Sequence, residues 1–228
     1  MEAAIEVAPK LGVKKIVTFS GCPGDGKGDM PNWVTCAWPN EYHDVLEYQW
    51  NEVLIPYWKK YAQRAKDNGV QICFEMHPGF CVYNPETLLK LRATAGDALG
   101  ANLDPSHLLW QGIDIVSAIR YLGKALFYFH AKDTALDREN VARNGVLDSK
   151  PYENEAERSW IFRTVGYGSD EKFWKDVISA LRIAGYDDYL SIEHEDSLMT
   201  QTEGLDKAIE FMQRVMIREP RTNGLWWV

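Results

Sequence analysis

Four short β-favouring runs in this chain each end in a carboxylate or an imidazole. The end residues are Glu75, Asp104, His130 and Glu193. Three carboxylates with one imidazole form an oxygen-rich set that suits a hard divalent cation such as Mn²⁺ or Mg²⁺. The carboxyl ends of successive strands are also where a (β/α) barrel builds its active site. The residues therefore predict a metal-dependent barrel enzyme.

Strand and helix signals alternate along the chain and would position these residues. Short apolar runs predict strands, and apolar residues three or four positions apart predict helices. Such alternation favours a parallel sheet with crossover helices. The predicted strands are 13–20, 70–76, 101–103, 125–129 and 189–192. The predicted helices are 1–11, 41–68, one that starts at Asn84 and ends before Gly96, 114–121, 170–184 and 203–217.

The spacing of the four end residues fits repeated strand–helix units. Glu75 and Asp104 are 29 residues apart, and Asp104 and His130 are 26 apart. Each interval is about the length of one βα unit. His130 and Glu193 are 63 apart, which predicts a long insertion at about 134–169. A structureless insertion of this length is usually a functional lid or an interface arm.

The number of predicted strands falls short of a closed barrel. Such a barrel needs eight strands and about 250 residues, whereas five strands are predicted in the 228 residues. We therefore expect a single domain over 1–228, a (β/α)8 TIM barrel that lacks its first three βα units, with a C-terminal tail at about 218–228. The alternative is a smaller open α/β sheet that is complete as written.

Composition narrows the range of partners and locations. The chain is 46% hydrophobic, with a net charge of −8 and a pI near 5.2. The acidic balance argues against nucleic acid as a partner. The four cysteines form no C-x-x-C pair and are expected to be reduced thiols. No leader pattern and no apolar run of about 18 residues is present, so we expect a cytoplasmic protein without a membrane partner.

The motifs at the strand ends resemble those of the xylose-isomerase-like sugar (phosphate) isomerase/epimerase superfamily. They are Glu75, Asp104-x-x-His107, His130-x-Lys132-Asp133 and Glu193-His194-Glu195-Asp196. The resemblance covers nearly all of the chain and implies a TIM barrel. It also implies that Glu75, Asp104, His130 and Glu193 hold a divalent metal, with Mn²⁺ or Mg²⁺ favoured and Co²⁺ or Zn²⁺ as alternatives. His107 would contact the substrate.

The implied reaction is proton transfer beside a carbonyl group. Removing such a proton needs a positioned base and stabilisation of the enediolate, and a divalent metal supplies the stabilisation. Glu75 and Glu193 would take and return the proton, and Lys132 or Asp133 would orient His130. His77 shares strand parity with Glu75 and should point the same way.

The substrate-binding residues and the substrate itself are open from the sequence. Ketose 3-epimerases of this type place an arginine shortly after the metal-binding histidine. Arg138 and Arg163 are the candidates here, and Lys132 is a further candidate contact. We expect a small-molecule sugar or an inositol-derived (polyol) ketone, more readily unphosphorylated, and a homo-oligomer is left open. Trp33 and Trp38, near a glycine-rich loop that lacks the Ser/Thr of a phosphate-binding loop, could stack on a sugar ring.

Other functions compete with the isomerase or epimerase. A dehydratase could use the same site, because an enediolate can also expel a β-hydroxyl. A carbohydrate-binding protein with a vestigial site is a second alternative. A zinc-dependent phosphodiester hydrolase is disfavoured, because the chain has five histidines and a charge of −8, whereas such enzymes need a histidine-rich cluster and a basic face.

Overall fold

The computed structural model describes residues 1–28 and 30–220. Five parallel strands form the main sheet in the order β1-β2-β3-β4-β7, and β5 and β6 form a separate antiparallel pair. The strands are β1 Lys15–Thr18, β2 Gln71–Glu75, β3 Leu99–Leu103, β4 Leu126–Ala131, β5 Asp133–Leu136, β6 Trp160–Arg163 and β7 Leu190–Ile192. The five parallel strands match the predicted ones to within a few residues.

Helices lie before, between and after the strands. They are α1 Glu2–Val7, α2 Glu41–Glu47, α3 Ile55–Asp67, α4 Pro85–Ala95, α5 Pro105–Leu109, α6 Ile115–Leu122, α7 Arg138–Asn144, α8 Glu171–Ile183 and α9 Gln201–Val215. A π-helical stretch at Tyr48–Leu54 joins α2 to α3, so the long helix predicted from Glu41 is continuous. Asn84 caps α4 by accepting a hydrogen bond from Thr87 N at 2.9 Å.

The core lies between the sheet and its helices. Phe74 on β2 is fully buried, and the ring of Trp58 on α3 meets it edge-on at 4.5 Å. Each such buried side chain stabilises the fold by about 1.5–3 kcal/mol. Since neighbouring residues of a strand point to opposite faces, Glu75 faces away from this helical layer. The packing of Phe74 therefore fixes the direction of Glu75.

The segment predicted as a structureless insertion contains regular elements. Strands β5 and β6 pair antiparallel, with Asp133 opposite Arg163 and Leu136 opposite Trp160. Helix α7 lies between them and is capped by the side chain of Asp137. The prediction of a structureless segment is wrong because alternate residues of β6, including Trp160, bury their side chains.

The main sheet is open, with β1 and β7 at its two edges in the described part of the chain. Five parallel strands covered by helices form an incomplete (β/α)8 barrel, which confirms the predicted fold class. Among the described residues, no helix combines the length and the apolar character needed to cross a membrane. Positions 221–228, which include the aromatic end of the predicted tail, lie outside the described residues.

Candidate active site

The four predicted ligands come together at the carboxyl end of the main sheet. Glu75 ends β2, Asp104 follows β3, His130 lies near the end of β4 and Glu193 follows β7. One ligand atom from each lies within 4.8 Å of the others. Because these strands run parallel, their carboxyl ends lie at the same end of the sheet. Residues that are distant in sequence therefore come together there.

Glu75 is held by hydrogen bonds on both carboxylate oxygens. Its Oε1 lies 3.0 Å from His107 Nε2, and its Oε2 accepts a bond from Asn102 Nδ2 at 3.2 Å. Burial raises the pKa of this carboxyl, but its contacts with His107 and His130 outweigh burial and hold the pKa well below its usual range. Glu75 is therefore a buried carboxylate that stays ionised at neutral pH.

Asp104 has one satisfied oxygen and one unsatisfied oxygen. Its Oδ1 accepts a hydrogen bond from Ser106 N at 2.8 Å and so caps α5. Its Oδ2 is buried and has no hydrogen-bond partner among the described residues, and Lys132 Nζ lies 3.8 Å away. Burial raises the pKa of Asp104. A buried oxygen of this kind needs a further cationic partner.

His130 lies between two carboxylates. Its Nδ1 is 2.7 Å from Glu193 Oε2 and 3.1 Å from Glu75 Oε2, but neither contact has the angles of a hydrogen bond. Burial lowers the pKa of His130, and the contacts with Glu193 and Glu75 outweigh it and raise the pKa to about 9. The Nδ1 atom of His130 therefore lies close to the carboxylates of both Glu75 and Glu193.

The cluster fits a divalent cation. Two of its buried donor atoms, Asp104 Oδ2 and His130 Nδ1, lack hydrogen-bond partners in the described chain. Each unsatisfied buried group costs about 1–3 kcal/mol, and a cation coordinated by both would remove that cost. Glu75 and Glu193 add two further carboxylates. Three oxygen ligands and one imidazole nitrogen form a set that divalent metals accept.

Lys132 and Glu195 adjoin the cluster. The Lys132 side chain is 1% exposed, its Nζ lies 2.8 Å from Glu193 Oε1, and it also contacts the Glu195 carboxylate. The contact with His130, more than that with Lys132, lowers the pKa of Glu193 to about 2 despite its partial burial. The two residues that follow Glu193 differ in direction. Glu195 lies in the site, whereas His194 packs against Gly204 of α9.

His77 and His107 line a cleft next to the cluster. Their ring centroids are 4.0 Å apart, and His77 Nδ1 lies 2.5 Å from Pro78 O. Burial lowers the pKa of His77. The cleft has a volume of about 470 Å³ and is also lined by Trp33, Trp110, Asp148, Tyr152, Trp160 and Phe162. Trp38 is 78% exposed and does not line this cleft.

Two predicted positioning roles are wrong. The Asp133 carboxylate accepts hydrogen bonds from Gly166 N at 3.0 Å and from Trp174 Nε1 at 3.1 Å, so it ties β5 to α8 and does not orient His130. Lys132 contacts Glu193 and not His130. The physical reason is that β5 begins at Asp133, and the chain leaves the main sheet there.

The two candidate arginines differ in their surroundings. Arg163 Nε donates to Asp196 Oδ2 at 3.1 Å, and Arg138 is exposed at the start of α7. Asn102, which binds Glu75, was not singled out from the sequence. Its position two residues before Asp104 was a usable signal, because residues two apart on a strand share a face.

The sequence of this chain matches known proteins and a known protein family. Residues 1–215 match the family model of the xylose isomerase-like TIM barrel. The chain is 41% identical over 219 residues to the protein YfiH of Bacillus subtilis, covering 94% of this chain and 70% of YfiH.

Solved structures share the fold. A xylose isomerase domain protein from Planctomyces limnophilus has a TM-score of 0.58 at 17% identity, over 92% of this chain and 61% of that protein. The IolI protein with a bound zinc atom has a TM-score of 0.61 at 21% identity, over 94% of this chain and 66% of IolI. The chain thus spans about two thirds of the length of these proteins, and it belongs to the xylose isomerase-like TIM barrel family.

Proposed function

We propose that the protein is a divalent-metal-dependent isomerase or epimerase of a sugar or an inositol-derived ketone. The observation that carries this proposal is the convergence of Glu75, Asp104, His130 and Glu193 within 4.8 Å at the carboxyl end of the sheet. The isomerase-related family and the zinc bound by IolI support it. The proposed metal is Mn²⁺ or Mg²⁺, with Co²⁺ or Zn²⁺ as alternatives.

In this proposal the four converging side chains hold the metal. When bound, a divalent cation supplies Lewis-acid stabilisation of charge on a carbonyl oxygen. Glu75 and Glu193 are the proposed proton carriers. Both have lowered pKa values, so both are ionised at neutral pH and each can accept a proton on a carboxylate oxygen. One carboxylate would take the proton from the carbon beside the carbonyl, and the other, after taking up a proton from solvent, would give it to the enediolate from the opposite face.

Neighbouring residues would position the substrate and the bases. The Glu75–His107 contact of 3.0 Å orients the first carboxylate. The Lys132 ammonium holds Glu193 Oε1 at 2.8 Å and so keeps the second carboxylate ionised. His107, His77, Lys132 and Arg163 are the proposed substrate-binding residues.

The residues lining the cleft favour an unphosphorylated substrate. No lysine or arginine is among them in the described part of the chain, and phosphate recognition usually uses such cations. The two proposed cationic contacts, Lys132 and Arg163, are already paired with Glu193 and Asp196. A cytoplasmic location belongs to the same proposal, and a homo-oligomer is left open. No basic face for nucleic acid is expected at a net charge of −8.

Proton exchange in deuterated water tests the proposed reaction. The protein is incubated with Mn²⁺ and a panel of ketoses and inosose, and deuterium entry beside the carbonyl is followed by NMR. We expect exchange that EDTA abolishes and that Glu75→Gln reduces by a factor of about 10² or more, the usual contribution of a general base. The control Glu52→Gln alters an exposed carboxylate and should exchange like the wild type.

The product of the same incubation distinguishes the reactions. A stereoisomeric ketose indicates an epimerase, an isomer with a shifted carbonyl group indicates an isomerase, and loss of water indicates a dehydratase. Metal binding without exchange on any ketone would contradict the proposed chemistry and favour a binding role.

A further inference from the structure

Two cysteines lie side by side in the loops that follow β1 and β2. Cys22 comes four residues after the end of β1, and Cys81 comes six residues after the end of β2. The backbone N–H of Cys81 donates a hydrogen bond to Gly21 O at 3.1 Å. Next to it, Val82 N donates to Ser20 Oγ at 3.0 Å. These two hydrogen bonds hold the loops together at the cysteines.

The spacing of the two loops suits a disulfide. Neighbouring strands joined by backbone hydrogen bonds lie about 5 Å apart, and a disulfide requires α-carbon atoms about 4.4–6.8 Å apart. Cys22 directly follows Gly21, whose carbonyl oxygen accepts from Cys81 N. All four cysteines of the chain are free thiols in this structure. The pair is therefore in the reduced state from which a disulfide can form.

A buried glutamine holds the loop of Cys22 against Cys81. Gln49 is 1% exposed, and its Oε1 accepts a hydrogen bond from Cys81 Sγ at 3.7 Å. Its Nε2 donates to Pro23 O at 2.7 Å and to Asn32 O at 2.6 Å. One side chain thus binds both the Cys81 thiol and the segment that follows Cys22, so the two sulfur atoms are kept in the same place.

The two thiols differ in exposure and in acidity. Cys22 is partly exposed and lines an open cleft of about 390 Å³, whereas Cys81 is 6% exposed. Contact with the Cys81 thiol outweighs burial and, together with the Asn32 backbone, lowers the pKa of Cys22 to about 7. Contact with Cys22 and burial raise the pKa of Cys81. Since the thiolate is the nucleophile, Cys22 is the accessible and reactive member of the pair.

The other two cysteines have different surroundings. Cys73 on β2 is fully buried, and burial raises its pKa to about 12, so it stays a thiol at neutral pH and is inert. Cys36 is exposed and lines a groove that also includes Cys81. Cys36 is therefore the competing partner for Cys81 and supplies the control for any test of the pair.

We propose that Cys22 and Cys81 form a redox-active dithiol, which a peroxide oxidises to a disulfide that joins the loops after β1 and β2. The Cys22 thiolate attacks one oxygen of hydrogen peroxide, the O–O bond breaks, and hydroxide leaves, which gives a sulfenic acid on Cys22. The hydroxide takes up the proton that the Cys22 thiol lost on ionisation. The Cys81 sulfur then attacks the Cys22 sulfur, and the Cys81 proton leaves with the sulfenic hydroxyl as water. Two thiols are oxidised, and one peroxide is reduced to two waters.

The disulfide would fix a turn that carries part of the cleft wall. Cys81 lies between His77 and Val82, and His77 N donates to Val82 O at 3.2 Å. His77 lines the cleft beside the carboxylate cluster. The cross-link would thus tie this turn to the loop after β1. Neither cysteine is a proposed metal ligand, so the dithiol stands or falls independently of the proposed function.

Peptide mapping after oxidation tests the proposal. The reduced protein is treated with hydrogen peroxide, the remaining thiols are blocked with N-ethylmaleimide, and trypsin with Glu-C cleaves the chain. Cleavage after Glu75 separates Cys73 from Cys81. We expect mass spectrometry to find peptides 16–27 and 76–86 joined by a disulfide, and dithiothreitol to separate them. Retention of both thiols, a sulfenic acid on Cys22 that Cys81 leaves unresolved, or a bond from Cys81 to Cys36 would each overturn the proposal.

Variants assign the bond to the pair. Cys22→Ser and Cys81→Ser should each abolish the linked peptides, and Cys36→Ser should leave them unchanged. In Cys81→Ser, peroxide should instead leave a sulfenic acid on Cys22, which dimedone labels. Loss of the linked peptides in Cys36→Ser, or the absence of dimedone labelling in Cys81→Ser, would contradict the assigned roles.

Thermal unfolding in EDTA shows whether the bond fits the native fold. Cys22 and Cys81 are 59 positions apart, and closing a loop of that length should raise the Tm by about 5–15 °C. Dithiothreitol should reverse the rise, and peroxide should produce none in Cys22→Ser, where any oxidation of methionine still occurs. A Tm that falls on oxidation of the wild type would show that the native loops do not accommodate the bond.

Discussion

Lys132 is a buried cation among carboxylates. It is 1% exposed, contacts Glu193 and Glu195, and lies 4.2 Å from the Phe162 ring. Burial lowers its pKa, but the charge of Asp104 and the contacts with the two glutamates outweigh burial and raise the pKa. The ammonium group thus stays charged and offsets the repulsion between carboxylates that the cluster brings together.

Replacing this lysine should destabilise the fold. Breaking a buried ion pair costs about 3–5 kcal/mol, but Glu193 and Glu195 are partly exposed, so we expect Lys132→Met to lower the free energy of unfolding by about 2–3 kcal/mol. Urea unfolding measures this loss. In the control Lys172→Met, an 80% exposed lysine loses its pairing with Asp176, and the expected loss is about 0–1 kcal/mol. Similar losses in both variants would show that Lys132 has no special role.

At the scale of elements, Asp148 fixes the segment between β5 and β6. Its Oδ2 accepts from Ser159 N at 2.7 Å, and its Oδ1 accepts from Lys150 N at 3.0 Å. Burial raises the pKa of Asp148, but these hydrogen bonds and Lys150 outweigh it and lower the pKa to about 2. The carboxylate therefore holds the segment that carries Tyr152.

A lowered pKa makes this contribution dependent on pH. The folded-state pKa of Asp148 lies below its ordinary value of 3.8, so the stabilisation is present above pH 3.8 and is lost as the pH falls towards 2. Asp148→Asn should lower the free energy of unfolding by about 1–3 kcal/mol at pH 7, with a smaller difference from the wild type at pH 3. Guanidinium unfolding at both values measures this, with the exposed Asp206→Asn as control. A difference that stays constant with pH would argue against the carboxylate's role.

At the scale of the whole molecule, the four proposed metal ligands join β2, β3, β4 and β7 of an open sheet. A ligand that binds only the folded state stabilises it, by about 2.7 kcal/mol at a concentration 100 times its Kd. Proteins of this size gain about 2–4 °C in Tm per kcal/mol. Saturating Mn²⁺ should therefore raise the Tm by about 5–10 °C, and EDTA should reverse the change.

Differential scanning calorimetry measures this shift. Asp104→Asn replaces the buried carboxylate whose Oδ2 has no hydrogen-bond partner among the described residues, and it should abolish most of the rise in Tm. An equal rise in wild type and variant would place the metal elsewhere.

The sequence by itself determined the parallel sheet and the four converging end residues. Apolar runs fix where strands form, and strand alternation fixes which residues share a face. The carboxyl ends of parallel strands lie at the same end of the sheet, so Glu75, Asp104 and His130 could be grouped from the sequence alone. The capping of α4 by Asn84 was likewise readable, because it depends on residues three apart.

Only the tertiary structure decided how the groups around the cluster pair. The pairing of β5 with β6 goes with a hydrogen bond between Asp133 and Trp174, and the segment between these strands brings Tyr152 into the wall of the cleft that His77 also lines. The pairing of Arg163 with Asp196 and of Asn102 with Glu75 joins residues from different elements. Such contacts depend on side-chain directions after packing, and one-dimensional periodicity carries no information about them.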